Sequence, residues 1–241
     1  MPMRYRLQIP LLWAILMFPV AAYAQDESRV TAELRTDLVS QYLWRGQLLG
    51  DVSLQPSMAL EWKGLYLEAW GSVSMVEAPA PREIDLTLSY TFHDVTLGLV
   101  DYWSTGYYPR FFSFKMPGTG HVLEAFAACE LGPVQLGWHT NIAGADAETP
   151  DGGRAWSSYA EIALPFEWAD FEWEAAIGIV PFATEYYDVD GFAVTNVSLK
   201  AERSVALADK LALPLSVQLI ANPYARHLYL VGGLSLVVGN N

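Results

Sequence analysis

The segment IDLTLSYTF, residues 84–92, alternates apolar and polar side chains without a break. Successive side chains of a β-strand point to opposite faces, so such a segment has one apolar face and one polar face. The same period of two recurs in VQLGWHTN (134–141), FEWEAAIGI (171–179) and LALPLSVQL (211–219), while helical spacing is almost absent. The pattern therefore predicts an all-β protein.

About twelve alternating segments follow one another along the chain. Most span 10–13 residues, longer than the roughly 5–6 residues typical of soluble sheets and close to the 9–11 residues that cross a bilayer at a tilt. The predicted segments are 31–44, 52–62, 65–76, 83–92, 95–104, 121–131, 134–143, 157–167, 171–181, 191–203, 210–220 and 227–238.

The connections between these segments alternate between short and long. The short ones are 63–64, 93–94, 132–133, 168–170 and, longer than the rest, 204–210; the long ones are 45–51, 76–82, 104–120, 143–155 and 181–191. Outer-membrane barrels sort their connections in this way, with short periplasmic turns and long outer loops. The alternation favours a single barrel with no second domain.

Charge distinguishes the two faces of the predicted strands. Nearly all ionisable side chains lie on the polar phase: Arg35, Asp37, Glu68, Asp85, Glu124, Glu130, Glu161, Glu172, Glu174, Lys200 and Glu202. Burying them in a dry core would cost several kcal/mol for each unpaired charge. A soluble barrel filled with apolar side chains is the alternative, but a twelve-strand ring is wider than the eight-strand barrels that side chains fill. We therefore predict a transmembrane antiparallel up-and-down β-barrel of about 12 strands.

Aromatic residues cluster at the ends of the predicted strands, as at lipid interfaces. One girdle follows the short turns (Trp62, Phe92, Phe166, Trp168, Phe171 and Trp173) and the other the long loops (Tyr42, Trp44, Tyr102 and Trp103). If SQYLWRG (40–46) continues the first strand, Ser40, Tyr42 and Trp44 face lipid, and Gln41, Leu43 and Arg45 face the lumen.

The first 24 residues have the anatomy of a removable secretory signal. Arg4 and Arg6 precede the apolar run 11–20, and the small-residue motif at 22–24 precedes Gln25. We expect residues 1–24 to be a signal peptide and 25–241 an outer-membrane barrel domain.

Without Arg4 and Arg6 the chain has 12 basic and 27 acidic residues, a formal charge of −15, which excludes nucleic acid as a partner. The single cysteine, Cys129, excludes an internal disulfide.

Four motifs resemble the TorF family of porin-type outer-membrane proteins: YLWRG (42–46), SLQPSMALEW (53–62), GLYLEAWGS (64–72) and EIDLTLSY (83–90). The resemblance covers roughly residues 34–105 and implies an outer-membrane barrel, without a substrate. The chain departs from the pattern in the aromatic-rich loop 104–120 and in a C-terminus, LSLVVGNN, that lacks a final aromatic residue. The expected partners are outer-membrane lipid and lipopolysaccharide, the barrel-assembly machinery during biogenesis, and small solutes.

The candidate site residues lie in the lumen and in one loop. The pore-lining candidates are Arg35, Arg45, Glu68, Asp85, His139, Glu161, Glu172, Glu174 and Lys200; the loop or constriction candidates are Tyr107, Tyr108, Arg110, Phe111, Phe112 and Lys115. Acids lining a bore favour cations, but they are equally compatible with a plugged interior in which they pair with the bases. The loop candidates can form a constriction, a receptor surface or a layer on the rim.

No catalytic motif, metal-binding pattern or cofactor motif stands out. WHTN (138–141) is faintly similar to the His-x-Ser-Asn stretch of outer-membrane phospholipases, but Thr140 points away from His139 in a strand. The sequence favours a non-enzymatic porin for passive diffusion of small solutes, with a bias toward cations where the acids line an open bore. The alternatives are a closed structural or adhesive barrel and, third, a lipid-acting enzyme.

Overall fold

A computed structural model describes residues 30–76, 82–105, 110–115 and 118–239, which form fourteen strands. The predicted signal peptide, Tyr107 and Tyr108 lie outside the described residues. In the described residues no helix is long and apolar enough to cross a membrane. The strands are β1 (Thr31–Val39), β2 (Tyr42–Trp44), β3 (Gln47–Gly50), β4 (Ser53–Trp62), β5 (Leu65–Ser74), β6 (Arg82–Phe92), β7 (Val95–Ser104), β8 (His121–Leu131), β9 (Val134–Gly144), β10 (Ser158–Trp168), β11 (Phe171–Val180), β12 (Ala193–Ala208), β13 (Leu211–Asn222) and β14 (His227–Gly239).

Twelve of the strands close into one antiparallel barrel. Strands β4 to β14 pair with their sequence neighbours, and β1 closes the ring by pairing with both β4 and β14. Arg35 of β1, for example, lies opposite Ser57 on one side and Val237 on the other. The predicted all-β barrel of about twelve antiparallel strands is confirmed.

The two ends of the barrel differ, because the two-residue turns that join barrel strands all lie at one end, while the connections at the other end have four residues (223–226) or more. The turn between β10 and β11 consists of Ala169 and Asp170, whose positive φ angles of 53° and 64° are those of a two-residue hairpin turn. The predicted longer turn at 204–210 is wrong, because β12 continues to Ala208 and pairs there with Leu211. A register shift in β12 absorbs the extra residue, so this connection is also short.

Apolar side chains cover the outside of the barrel. Leu60, Leu67, Leu88 and Leu99 are successive partners on β4 to β7, and each is about two-fifths exposed. Trp62, Phe92, Phe166 and Trp168 of the predicted short-turn girdle are exposed, whereas Phe171 and Trp173 are half-buried. An apolar surface of this extent needs a non-aqueous or protein partner to cover it.

The stretch 40–46 does not continue the first strand. β1 ends at Val39, and the chain then folds into a small hairpin, β2–β3, whose turn residues Arg45 and Gly46 have positive φ angles of 51° and 80°. The predicted lipid-facing orientation of Tyr42 and Trp44 is wrong, because the hairpin bends into the barrel. Tyr42 is 5% exposed and packs against Trp70, with ring centroids 5.5 Å apart.

The predicted aromatic girdle at the long-connection end also needs correction. Tyr102 points into the lumen and is buried. Trp103 does face outward, since it pairs with the exposed Ile84, but Phe111 covers it at a ring-centroid distance of 5.3 Å. Other aromatic residues are exposed at this end, namely Phe112, Phe114, Trp156, Phe182, Phe192 and Tyr224.

Candidate functional site

The inward face of the barrel is polar and strongly charged. The nine pore-lining candidates all lie on inward-facing positions or, for Arg45, on the hairpin inside the bore: Arg35, Arg45, Glu68, Asp85, His139, Glu161, Glu172, Glu174 and Lys200. All but Asp85 and Glu172 are less than 9% exposed. Their position is known, but whether they line an open path stays a prediction.

The hairpin β2–β3 lies inside the bore, and its turn rests against strands β12 and β13 of the wall. A Cβ atom at Gly46 would lie 1.8 Å from the carbonyl oxygen of Thr195 on β12, so only glycine allows this approach. The Gly46 carbonyl accepts a hydrogen bond of 3.1 Å from Nδ2 of Asn222 on β13. These contacts fix the turn at residues 45–46 in the interior of the barrel.

Arg45 is held at this position by Glu124 of β8. Nη1 and Nη2 of Arg45 lie 2.6 and 2.8 Å from the two carboxylate oxygens, a bidentate pair in which the Glu124 side chain is fully buried. Tyr102 donates a hydrogen bond of 3.1 Å to Oε1 of Glu124, and His139 Nδ1 lies 3.0 Å from the same oxygen. One carboxylate therefore joins β7, β8, β9 and the hairpin.

Aromatic rings surround the Arg45 guanidinium. Its Cζ lies 4.4 Å from the centroid of Trp44 and 4.7 Å from that of Tyr159, and Nη1 also donates to the hydroxyl of Tyr187. We call Trp44, Tyr102, Glu124, Tyr159 and Tyr187 the Arg45 cage. Burial alone would lower the pKa of Arg45, but the Glu124 carboxylate outweighs burial and raises that pKa, so the guanidinium stays charged.

Side chains of a second connection also lie in the bore, beside the Arg45 cage. Tyr187, in the segment between β11 and β12, stacks on Trp44 with ring centroids 5.8 Å apart, and Tyr186 meets Trp44 edge-on at 6.1 Å. Burial raises the pKa of the Tyr187 phenol, which therefore keeps its proton while it accepts the bond from Arg45. Residues of two long connections thus meet inside the bore.

On the described barrel strands, Arg35 and Lys200 are the other bases that face the bore, and both are paired with acids. Arg35 Nε lies 2.7 Å from Asp37, and Lys200 Nζ lies 2.9 Å from Glu202. Further acids lie on the same inward phase, namely Glu68, Asp85, Glu161, Glu172 and Glu174. Among the described residues, Oδ1 of Asp85 is buried without a hydrogen-bond partner. The wall thus carries more acids than bases.

A cavity of about 360 Å³ lies beside the hairpin. Its wall includes Tyr42, Trp44, Tyr102 and Tyr186 together with the carboxylate-bearing Glu83. Trp44 and Tyr102 also belong to the Arg45 cage, so the cavity and the cage share a wall. We call this space the vestibule, because it contacts residues that begin or end the long connections.

The described part of the loop 104–120 lies on the outer wall, not in the bore. Phe111 packs against Trp103 and His121, both on outward-facing positions, and its carbonyl oxygen accepts a hydrogen bond from His121 Nε2. Arg110, Phe112 and Lys115 are exposed, Phe112 to 87%. In this conformation Arg110, Phe111, Phe112 and Lys115 do not lie in the bore, where the hairpin and Tyr187 are found, and their function stays a prediction.

Sequence reasoning missed several residues of the Arg45 cage. Glu124 was recognised only as one polar-phase acid among many, and Trp44 and Tyr187 were not recognised as part of the lumen. The available signals were the Arg45-Gly46 pair, which suits a two-residue turn, and the adjacent tyrosines 186 and 187 in a long connection. Neither signal says which way a connection folds.

The residues of WHTN act as wall residues. His139 contacts Glu124 from inside the barrel, whereas Thr140 faces outward and lies 2.9 Å from Ser158. No group of three or more metal-ligating side chains comes together in the described ranges.

Comparisons with known proteins add only distant similarity. No protein-family model matches the chain, and no curated protein matches it. A bacterial polysaccharide outer membrane secretin is similar at 9% identity and a TM-score of 0.45, over 90% of this chain and 100% of the other. An outer membrane channel from Pseudomonas putida F1 is similar at 12% identity and a TM-score of 0.42, over 93% and 100%. OmpF of Salmonella typhi, in a complex with daunomycin, gives 7% identity and a TM-score of 0.34, over 88% and 97%. Similarity at this level transfers no activity, and the TorF resemblance stays a prediction.

Proposed function

We propose that this protein is a narrow outer-membrane channel for the passive diffusion of small solutes, with a bias toward cations. Two features support it together: an apolar outer surface around the ring and an inward face with more acids than bases. A barrel in lipid needs an apolar outer surface, and a water-filled path through a barrel is lined by polar and charged side chains. In this proposal the signal peptide directs export, and outer-membrane lipid, lipopolysaccharide and the barrel-assembly machinery are the partners.

The membrane location can be tested on the outer leucine row. Leu88 lies between Leu67 and Leu99 and is 45% exposed. We expect Leu88→Arg to lower the free energy of unfolding in lipid vesicles by about 2–4 kcal/mol, the cost of a cationic side chain near the midplane of a barrel. Urea titrations of the refolded protein measure it, with Leu88→Ala as the uncharged control. Equal stability of the Arg and Ala variants would contradict a lipid-facing Leu88.

The observation that carries the channel proposal is which parts of the chain close the bore. The bore is filled at the Arg45 cage by side chains of two connections, β2–β3 and the segment that contains Tyr187, and not by side chains of the barrel wall alone. The hairpin can move while the barrel stays intact, since β2 and β3 pair only with each other and are not part of the ring. The closure is therefore separable from the scaffold, as a channel requires.

Planar-bilayer recordings test the channel and its selectivity. We expect discrete current steps from the purified protein and a reversal potential in a KCl gradient that indicates preference for K⁺ over Cl⁻. The double variant Glu161→Gln/Glu174→Gln should reduce this preference, because both carboxylates face the bore. Asp170→Asn, in the exposed two-residue turn between β10 and β11, is the matched control and should leave the selectivity unchanged. Anion preference in the unmodified protein would contradict the proposal.

A closed structural or adhesive barrel is the second candidate. The observation that favours it is the stacking of Trp44 and Tyr187 inside the bore together with exposed aromatic side chains, such as Phe112, at the long-connection end. Electrical silence of both the unmodified protein and a variant without the hairpin would support this function over the channel.

A further inference from the structure

We propose that the Arg45 cage is a recognition site for guanidinium groups, and that guanidinium-bearing solutes are a class of cation that this channel admits. This inference rests on the proposed channel function and assigns its substrate class. In the described conformation the protein's own Arg45 occupies the site. A solute of the same chemistry would compete with Arg45 for the carboxylate of Glu124.

The cage discriminates by shape as well as by charge. Glu124 presents one oxygen to each terminal nitrogen of the guanidinium, at 2.6 and 2.8 Å. A planar guanidinium matches this fork, whereas an ammonium group offers a point charge with no preferred plane. The rings of Trp44 and Tyr159 lie within 5 Å of Cζ, where an aromatic face stabilises a delocalised cation.

The occupant and most of the site belong to different parts of the fold. Glu124, Tyr159 and Tyr102 are on barrel strands β8, β10 and β7, which stay in place whatever the hairpin does. Strands β2 and β3 pair only with each other. Withdrawal of the hairpin would therefore leave the carboxylate and the rings of Tyr102 and Tyr159 on the wall, free to bind another guanidinium.

The vestibule gives a solute access to the cage. It shares Trp44 and Tyr102 with the cage, and its volume of about 360 Å³ is within the range of small-molecule sites. The charged side chains that face it are Glu83 and, at the rim, Arg82. On the far side of the cage, His139 faces Glu124, and the acid Glu161 lies beside Tyr159. Acids outnumber bases along this path, which favours entry of a cation.

The test uses a variant that empties the cage and keeps the turn. Arg45→Asn removes the guanidinium but retains Asn-Gly, the residue pair that two-residue turns with positive φ prefer. Methylguanidinium is the probe, and methylammonium is the comparison cation. In planar bilayers we expect methylguanidinium to block the Arg45→Asn current at concentrations at least about tenfold lower than methylammonium, because the fork of Glu124 contributes only to the planar cation.

A second variant isolates the carboxylate. In Arg45→Asn/Glu124→Gln the half-blocking concentration of methylguanidinium should rise at least about tenfold, since a buried hydrogen-bonded charge pair contributes more than one factor of ten. Equal block in the two variants, or equal block by the two cations, would overturn the inference and leave the channel function standing.

The melting temperature, which does not depend on conduction, separates the guanidinium site from the channel function. In detergent, methylguanidinium should raise the melting temperature of Arg45→Asn but not of Arg45→Asn/Glu124→Gln, because a ligand stabilises the folded state that binds it. This shift without any current in Arg45→Asn would count against the channel and for guanidinium recognition. Absence of the shift would overturn the recognition site, whether or not the variant conducts.

Discussion

Replacement of Glu124 by glutamine should destabilise the barrel by about 3–5 kcal/mol, the cost of leaving one partner of a buried ion pair without the other. The Glu124 side chain has no exposed surface, and it binds Arg45, Tyr102 and His139 at once. Glutamine is nearly the same size, so the loss comes from charge and not from a cavity. The guanidinium of Arg45 would remain buried with no carboxylate beside it.

Urea unfolding in lipid vesicles, followed by tryptophan fluorescence, measures this loss. Glu172→Gln is the matched control, because Glu172 also faces the bore but is only half-buried and lies opposite another acid, Glu202. We expect that control to leave the free energy of unfolding unchanged or slightly higher. The double variant Arg45→Asn/Glu124→Gln should lose less than the sum of its single changes, since it leaves no unpaired charge. A Glu124→Gln variant as stable as Glu172→Gln would contradict the role of Glu124 as the carboxylate that holds Arg45 in the bore.

The wall of the barrel could be predicted from the sequence because its signal is local. Segments such as 84–92 alternate with period two, and the charged phase fixes which face is wet without any knowledge of strand partners. The tight turns were visible for the same reason. The exception, 204–210, failed because β12 extends beyond its clear alternation and takes up a register shift, which depends on its partner β13.

The contents of the bore could not be predicted, because they depend on contacts between distant residues. Arg45 and Glu124 are 79 positions apart, and the hairpin turn rests against Asn222, 176 positions from Gly46. The alternation of 31–44 fits a longer strand equally well, since Tyr42 and Trp44 have the same phase as residues on the outer face of β1. Long-range contacts such as the close approach of Gly46 to Thr195 decide between the two, and the sequence does not contain that information locally.

Removal of the hairpin should raise the single-channel conductance severalfold. Val39 and Ser53, at the ends of β1 and β4, are direct partners in the barrel. Residues 40–52 can therefore be replaced by a two-residue Asn-Gly turn without a change of register. The change takes Trp44 and Arg45 out of the bore and leaves Tyr187 without its stacking partner.

Planar-bilayer recordings on the hairpin-less variant measure the conductance, and the control replaces residues 110–115 with a Gly/Ser segment of equal length. That segment packs on the outer wall against Trp103 and His121, so its loss should leave the conductance of the unmodified protein unchanged. The comparison separates an effect on the bore from a general loosening of the long-connection end. A folded hairpin-less barrel that stays silent would mean that wall side chains alone close the lumen, and the channel proposal would then fail in favour of a closed barrel. A larger, cation-selective conductance would instead locate the resistance at the Arg45 cage, because the barrel wall is the same in both proteins.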